Sequence, residues 1–147
     1  MTSDEWVLYD QFLLEKSNGT QDLQNDVFKV ALMDDTYVPN SATDTIFSSL
    51  TGELSTEYGY TEDGVTATQI LTVTSGNVKW DIDNPQWDIV TSSITFKYIV
   101  IYNSDTDGLV GYCIADNTAG GTNVTVSADY LLDVIIPSTG IFNEAVQ

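Results

Sequence analysis

Apolar and polar positions along this chain follow two different periods. Near the start, Trp6, Tyr9, Phe12 and Leu13 recur at spacings of three and four with Leu8 beside them, and this single stripe predicts a helix over residues 4–17. Thr2 or Ser3 is placed to cap it, Asp4 and Glu5 suit its first turn, and Lys16 with Asn18-Gly19 marks its end. From Val27 onward the period shortens. Val27 to Met33 is nearly continuous in apolar residues, as a strand covered on both faces requires, with Lys29 expected near an edge or a partner. Val65 to Thr74 alternates through Ala67, Gln69, Leu71 and Val73, and Ser75-Gly76-Asn77 turns the chain into Val78 to Ile82, which predicts a hairpin.

A second strand pair is predicted from Ile94 to Tyr102 and Leu109 to Ala115, joined by the turn residues Asn103 to Gly108. Val124 to Val126, Tyr130 to Ile136 and Ile141 to Val146 follow, separated by Gly120-Gly121 and Pro137 to Gly140. Ser41 to Leu54 is ambiguous: either a long loop or, as the preferred reading, a short helix capped by Asp44, carrying Ile46, Phe47 and Leu50 and ended by Gly52. About seven to nine short strands at intervals of roughly 8–12 residues describe an all-β, single-domain antiparallel β-sandwich or flattened barrel with one N-terminal α-helix. The helix occupies residues 1–19 and the sandwich residues 20–147, with no internal repeat or linker between them.

Composition narrows the function. The 147 residues are enough for one core that buries about two thirds of the unfolded surface. Hydrophobic residues make up 42% and charged residues 18%, the polar remainder being mostly turn and strand-face residues. Four Lys, no Arg and no His face 22 Asp plus Glu, a formal charge of -18. That field repels phosphate, which argues against nucleic acid and against an anionic membrane, and it keeps a concentrated protein soluble. The first five residues lack a basic region, so no signal peptide is expected. Apolar runs such as Tyr98 to Tyr102 fall far short of the roughly 20 residues of a membrane span. Cys113, the single cysteine, lies in an apolar run and reads as a buried thiol.

Candidate chemistry is sparse. Trp80 to Asp88 gathers two indoles and three carboxylates. Asp81, Asp83 and Asp88 offer the oxygens a hard cation prefers, or Trp80 and Trp87 form a platform for a sugar or a partner, or the indoles pack inward or against another subunit. Pro85 stands where a calcium loop needs Asp or Asn, and neither the Gly nor the bidentate Glu follows. Asp105 and Asp107 also look calcium-like, but the chemistry of a hairpin tip accounts for them. Carboxylate pairs are expected by accident among so many acids, and none sits in a motif that fixes glycosidase geometry. A His-based triad is impossible, and neither a nucleophile elbow, a P-loop nor a dinucleotide fingerprint occurs. No catalytic residue, cofactor or metal is assigned, and the expectation is a protein that is not an enzyme.

The pattern resembles a group of small virion structural proteins of tailed bacteriophages. The matching features are the amphipathic N-terminal segment around Trp6, Tyr9 and Phe12, then Asp26 to Leu32, Tyr37-Val38-Pro39, Phe47 to Glu53, Gly59-Tyr60, Gly64-Val65, Trp87, Tyr98 to Asn103 and Leu109 to Tyr112. They cover about residues 5–115 and are strand and turn patterns. The resemblance implies a capsid decoration or cement protein on the outer face of the head, made in the host cytoplasm, with the major capsid protein as partner and a homotrimer as the first-choice assembly. Trp6, Tyr9, Trp80 and Trp87 are the candidate protein-protein contacts, the N-terminal segment being the chosen docking element unless it simply covers one end of the sandwich. The alternative is a tail- or fibre-associated adhesion module that binds carbohydrate through exposed aromatic residues.

Overall fold

The structure, a computed structural model, describes residues 5–116, 118 and 121–145. In chain order the elements are β1 (Val7–Leu8), α1 (Asp10–Asn18), β2 (Phe28–Met33), a single 3-10 turn (Phe47–Ser49), β3 (Val65–Ala67), β4 (Gln69–Thr74), β5 (Asn77–Ile82) and β6 (Gln86–Asp88). They continue with β7 (Ile94–Phe96), β8 (Tyr98–Asn103), β9 (Leu109–Ile114), β10 (Val124–Val126), β11 (Leu131–Asp133) and β12 (Phe142–Ala145). The chain is all-β with a single N-terminal helix. A five-stranded antiparallel sheet has the order β1-β9-β8-β2-β3, a three-stranded sheet the order β12-β5-β4, and β10-β7 and β11-β6 form two-stranded ladders.

The near-continuous apolar run becomes an interior strand of the large sheet, between β8 and β3. Phe28, Val30, Ala31, Leu32 and Met33 of β2 are all buried, so side chains on both faces of the pleat lie in the core. β8 pairs with β2 along its whole length, from Phe28 opposite Asn103 to Met33 opposite Tyr98. One cluster of buried residues extends from Trp6 to Ile141. The predicted hairpin is present as β4 and β5, with Thr74 opposite Asn77. Ser75 and Gly76 have φ of 50° and 77°, the two positive values of a type I′ turn, which matches the twist of the strands it joins.

Two expectations change. The helix starts at Asp10, not near residue 4, because Val7 and Leu8 pair as a strand with Tyr112 and Gly111 of β9. Gly111 permits this approach: a Cβ there would meet the Val7 carbonyl oxygen at 3.0 Å. The caps assigned to Thr2 and Ser3 lie outside the described residues, and Tyr9, the residue at the observed N-cap, makes no side-chain cap bond. The C-terminal end is as read, with Gly19 left-handed. The short helix favoured between Asp44 and Gly52 shrinks to the 3-10 turn, since Asp44 accepts from the Asn40 amide and the Tyr37 hydroxyl instead of capping. Lys29 sits on β2, one strand in from the edge strand β3, opposite Thr66 and Tyr102.

Backbone contact between the turn before β3 and β2 leaves no room for a side chain. Gly64 has φ +75°, and an added Cβ would lie 2.0 Å from the Val30 carbonyl oxygen, whereas Gly19 at φ +82° has nothing within 4 Å. Gly19→Ala therefore isolates the backbone strain and is expected to cost about 1–2 kcal/mol. Gly64→Ala adds a clash with the β2 backbone and is expected to cost more than about 3 kcal/mol. Urea unfolding midpoints of the two variants check the difference.

Candidate functional site

The four aromatic contact candidates are core residues. Trp6, Tyr9, Trp80 and Trp87 are 7%, 0%, 0% and 3% exposed, so these side chains pack within the chain's own core. Strand alternation is the cause. On β5, Trp80 and Ile82 turn inward and Asp81 outward; on β6, Trp87 turns inward between exposed Gln86 and Asp88. The Trp80 indole donates to the Leu23 carbonyl at 3.0 Å and packs edge-on against Phe28 at 4.9 Å. Tyr9 ends a hydroxyl chain: it bonds Tyr37 at 2.6 Å, and Tyr37 donates to Asp44 at 3.0 Å. Burial raises both tyrosines far above their ordinary range. Neither indole presents a ring face to a sugar.

The acidic candidates are dispersed, and most of them tie loops. Asp83 accepts the Thr68 amide at 2.7 Å and Asp105 the Val27 amide at 2.8 Å. Asp107 accepts the amide and hydroxyl of Ser48, and Asp81 lies 3.6 Å from the Lys79 ammonium. Asp88 faces outward opposite Leu131. Among the described residues no three metal-ligating groups converge.

Concavities among the described residues include a pair of about 520 and 670 Å³. The first, of about 520 Å³, lies over β2 and β8 and is lined by Lys29, Phe47, Glu53, Asp63, Tyr102 and Asp107 among others. Phe47 stacks on Tyr102 with ring centroids 3.9 Å apart, and the Tyr102 hydroxyl donates to the Asp63 carbonyl at 2.7 Å. Glu53 accepts from the Tyr60 hydroxyl and the Asp63 amide, both at 2.7 Å. Burial raises its pKa above the ordinary 4.5, and the charges of Asp63 and Glu62 add to the rise.

The second is an open groove of about 670 Å³ between β10 and β11, lined by Val124, Val126, Tyr130 and Leu131 and flanked by Asp116 and Asp133. Tyr130 is 66% and Leu131 52% exposed, and nearby Val90 is 48% exposed. Backbone bonds hold this surface together, from Ile89 N–H to the Tyr130 carbonyl and from Val90 N–H to the Tyr58 carbonyl. Leu131 pairs opposite Asp88, so it shares the outward face of the ladder with Asp88 and Val90. Asp116 is held by the amides of Thr118 and Thr122 and by the Thr122 hydroxyl. The hydroxyl bond, then the Thr118 amide, lowers its carboxyl to about 2, which leaves a fixed negative charge at the rim.

Because Glu53 is more basic folded than unfolded, the proton favours the native state, and its carboxylate costs stability at neutral pH that is recovered as pH falls through the raised value. Glu53→Gln keeps the accepting oxygen and removes the charge. It is expected to stabilise the protein at pH 7 by about 0.5 kcal/mol, a figure already reduced for screening at a half-exposed group. The gain should vanish near pH 4, as thermal midpoints at the two pH values would show. Compared with known proteins, the chain gives no significant match to a family model, a curated protein or a solved structure.

Proposed function

We propose that this protein is a non-catalytic virion structural protein of a tailed phage, a decoration protein that sits on the outer face of the head and holds neighbouring coat subunits together. The observation that carries the reading furthest is the groove beside β11. Tyr130 and Leu131 expose large apolar side chains there at 66% and 52%, between carboxylates at Asp116 and Asp133. Aromatic and aliphatic anchors inside a polar rim are the anatomy of a protein-docking patch. The complementary partner surface carries apolar side chains with Lys or Arg beside them. A charge of -18 keeps the protein away from packaged DNA and suits the outside of a shell.

The resemblance supplies the particle, and the groove replaces the N-terminal segment as the docking element. Trp6, Tyr9 and Phe12 are spent on the protein's own core, which leaves Val7, Leu13 and Leu14 as the exposed apolar residues of that segment. The adhesion-module alternative needs an exposed aromatic platform, and its two candidate indoles at Trp80 and Trp87 are buried.

Electron microscopy of particles carrying labelled protein tests the reading, with density expected on the head. The double variant Tyr130→Ser, Leu131→Ser alters exposed side chains, so it should keep the native melting profile while particle binding falls about tenfold or more. Label confined to tails overturns the proposal. So would particles lacking the protein that withstand heat and internal pressure as well as intact ones.

A further inference from the structure

Among the described residues, the strands at sheet edges are short, with one exception. β1 has two residues, β3 three and β12 four, and the two-stranded ladders consist of three-residue strands. β12 is also packed by α1, through Phe12 against Phe142 at 5.8 Å and the Lys16–Glu144 ion pair. β4 is the exception: six residues, Gln69-Ile70-Leu71-Thr72-Val73-Thr74, at the open side of β5. Ile70, Leu71 and Val73 are 50%, 42% and 69% exposed.

Edge strands in soluble proteins are normally blunted by charge, proline, bulges or brevity. β4 has none of these. Its ladder with β5 runs without a register shift from Gln69–Ile82 to Thr74–Asn77. It also lies inside the longest stretch of the chain without a charged residue, between Asp63 and Lys79. In a hairpin with a two-residue turn, Thr74 and Asn77 form the closing hydrogen-bonded pair. Alternation then bonds Thr72 and Ile70 to β5 and directs the N–H and C=O groups of Val73, Leu71 and Gln69 outward.

We propose that this edge is a self-association surface, where β4 pairs antiparallel with β4 of a second copy about a two-fold axis at Thr72. The proposal stands apart from the phage reading. A second copy is the occupant the chemistry selects. Antiparallel pairing about Thr72 sets the axial residue against its own copy and brings each neighbouring residue diagonally near its copy, so one charge near the centre would oppose it, and β4 carries none. The edge also offers no charge to select a basic or acidic partner. About the Thr72 axis, Leu71 lies opposite the copy's Val73 and Thr72 opposite itself, so apolar residues meet apolar and a threonine pair sits on the axis. The two Leu71–Val73 pairs exchange about four backbone hydrogen bonds in all. The nearest like charges, Lys79 and its copy, lie three strand spacings apart, roughly 14 Å and beyond the screening length at physiological salt. The pairing consumes both edges and closes, so it gives a dimer where the resemblance implies a trimer.

Sedimentation velocity on the full chain, from about 10 μM to about 1 mM, should show a monomer–dimer equilibrium. The dimer should strengthen as salt rises from about 0.05 to about 0.5 M, because screening removes the repulsion between two acidic chains. Thr72→Lys sets two ammonium groups face to face on the axis and should weaken association at least tenfold with the thermal midpoint unchanged. Val73→Pro deletes an outward-facing N–H while sparing the ladder to β5, and should do the same. The amides of Leu71 and Val73 should exchange more slowly in the dimer. A chain that stays monomeric at every concentration and salt, a stable trimer, or a dimer that neither substitution weakens overturns the proposal.

Discussion

The pairing of β2 with β8 is the constraint on which the other elements depend. Both strands are buried along nearly their whole length, six residues against six, and neither can leave the core without exposing side chains on both faces. Fully burying one aliphatic or aromatic side chain is worth about 1.5–3 kcal/mol, so this pair sets the plane around which the rest is arranged. β9 and β3 extend it on either side, and β1 completes it by leaning on Gly111. The three-stranded sheet contributes Trp80 and Ile82 to the same core cluster. Even Lys29, an expensive residue on an interior strand, is accommodated because its long stem leads into the polar concavity over β2 and β8.

Acidity has a structural use beyond solubility. Two salt bridges occur among the described residues, one of them at Lys16 and one at Lys79, so cations do little to balance the carboxylates. Backbone amides take over the task locally. Asp34 accepts the Thr36 amide, Asp22 those of Gln24 and Asn25, and Asp116 those of Thr118 and Thr122. Each is a short-range turn bond of the kind aspartate makes with residues just ahead of it. Others reach across the chain, as Asp105 does to Val27 and Asp107 to Ser48. What reads in the sequence as a pair of calcium-like clusters is largely a set of loop fasteners.

Features set by neighbouring residues were legible in the sequence, and features set by register were not. β2 and the β4–β5 hairpin could be read because a run of apolar residues or a Ser-Gly turn carries its own instruction. The start of α1 could not, because the competing strand at Val7–Leu8 depends on Gly111, about a hundred residues away. Asp44 looked like a cap until Tyr37 and Asn40 claimed its carboxylate. Trp80 and Trp87 could face either way in an isolated strand, and only their partners decide. For the same reason the groove was invisible: Tyr130 and Leu131 sit in a segment that reads as an ordinary strand, and their exposure follows from where β11 meets β6.

The packing of α1 onto β12 has a consequence for how the protein is made. Lys16 and Glu144 are 128 positions apart, so the contact that seals this side of the fold joins two elements that leave the ribosome seconds apart. At about 5–20 residues per second, synthesis leaves β5 without β12 for several seconds after its hairpin with β4 is complete. During that interval the small sheet is open on both sides. The large sheet is less exposed to this hazard, since β9 follows β8 after one short turn and can assemble with β2 while the rest is still being translated. Folding on the ribosome should therefore proceed from the large sheet outward, with β12 closing the small sheet only after the large one has formed.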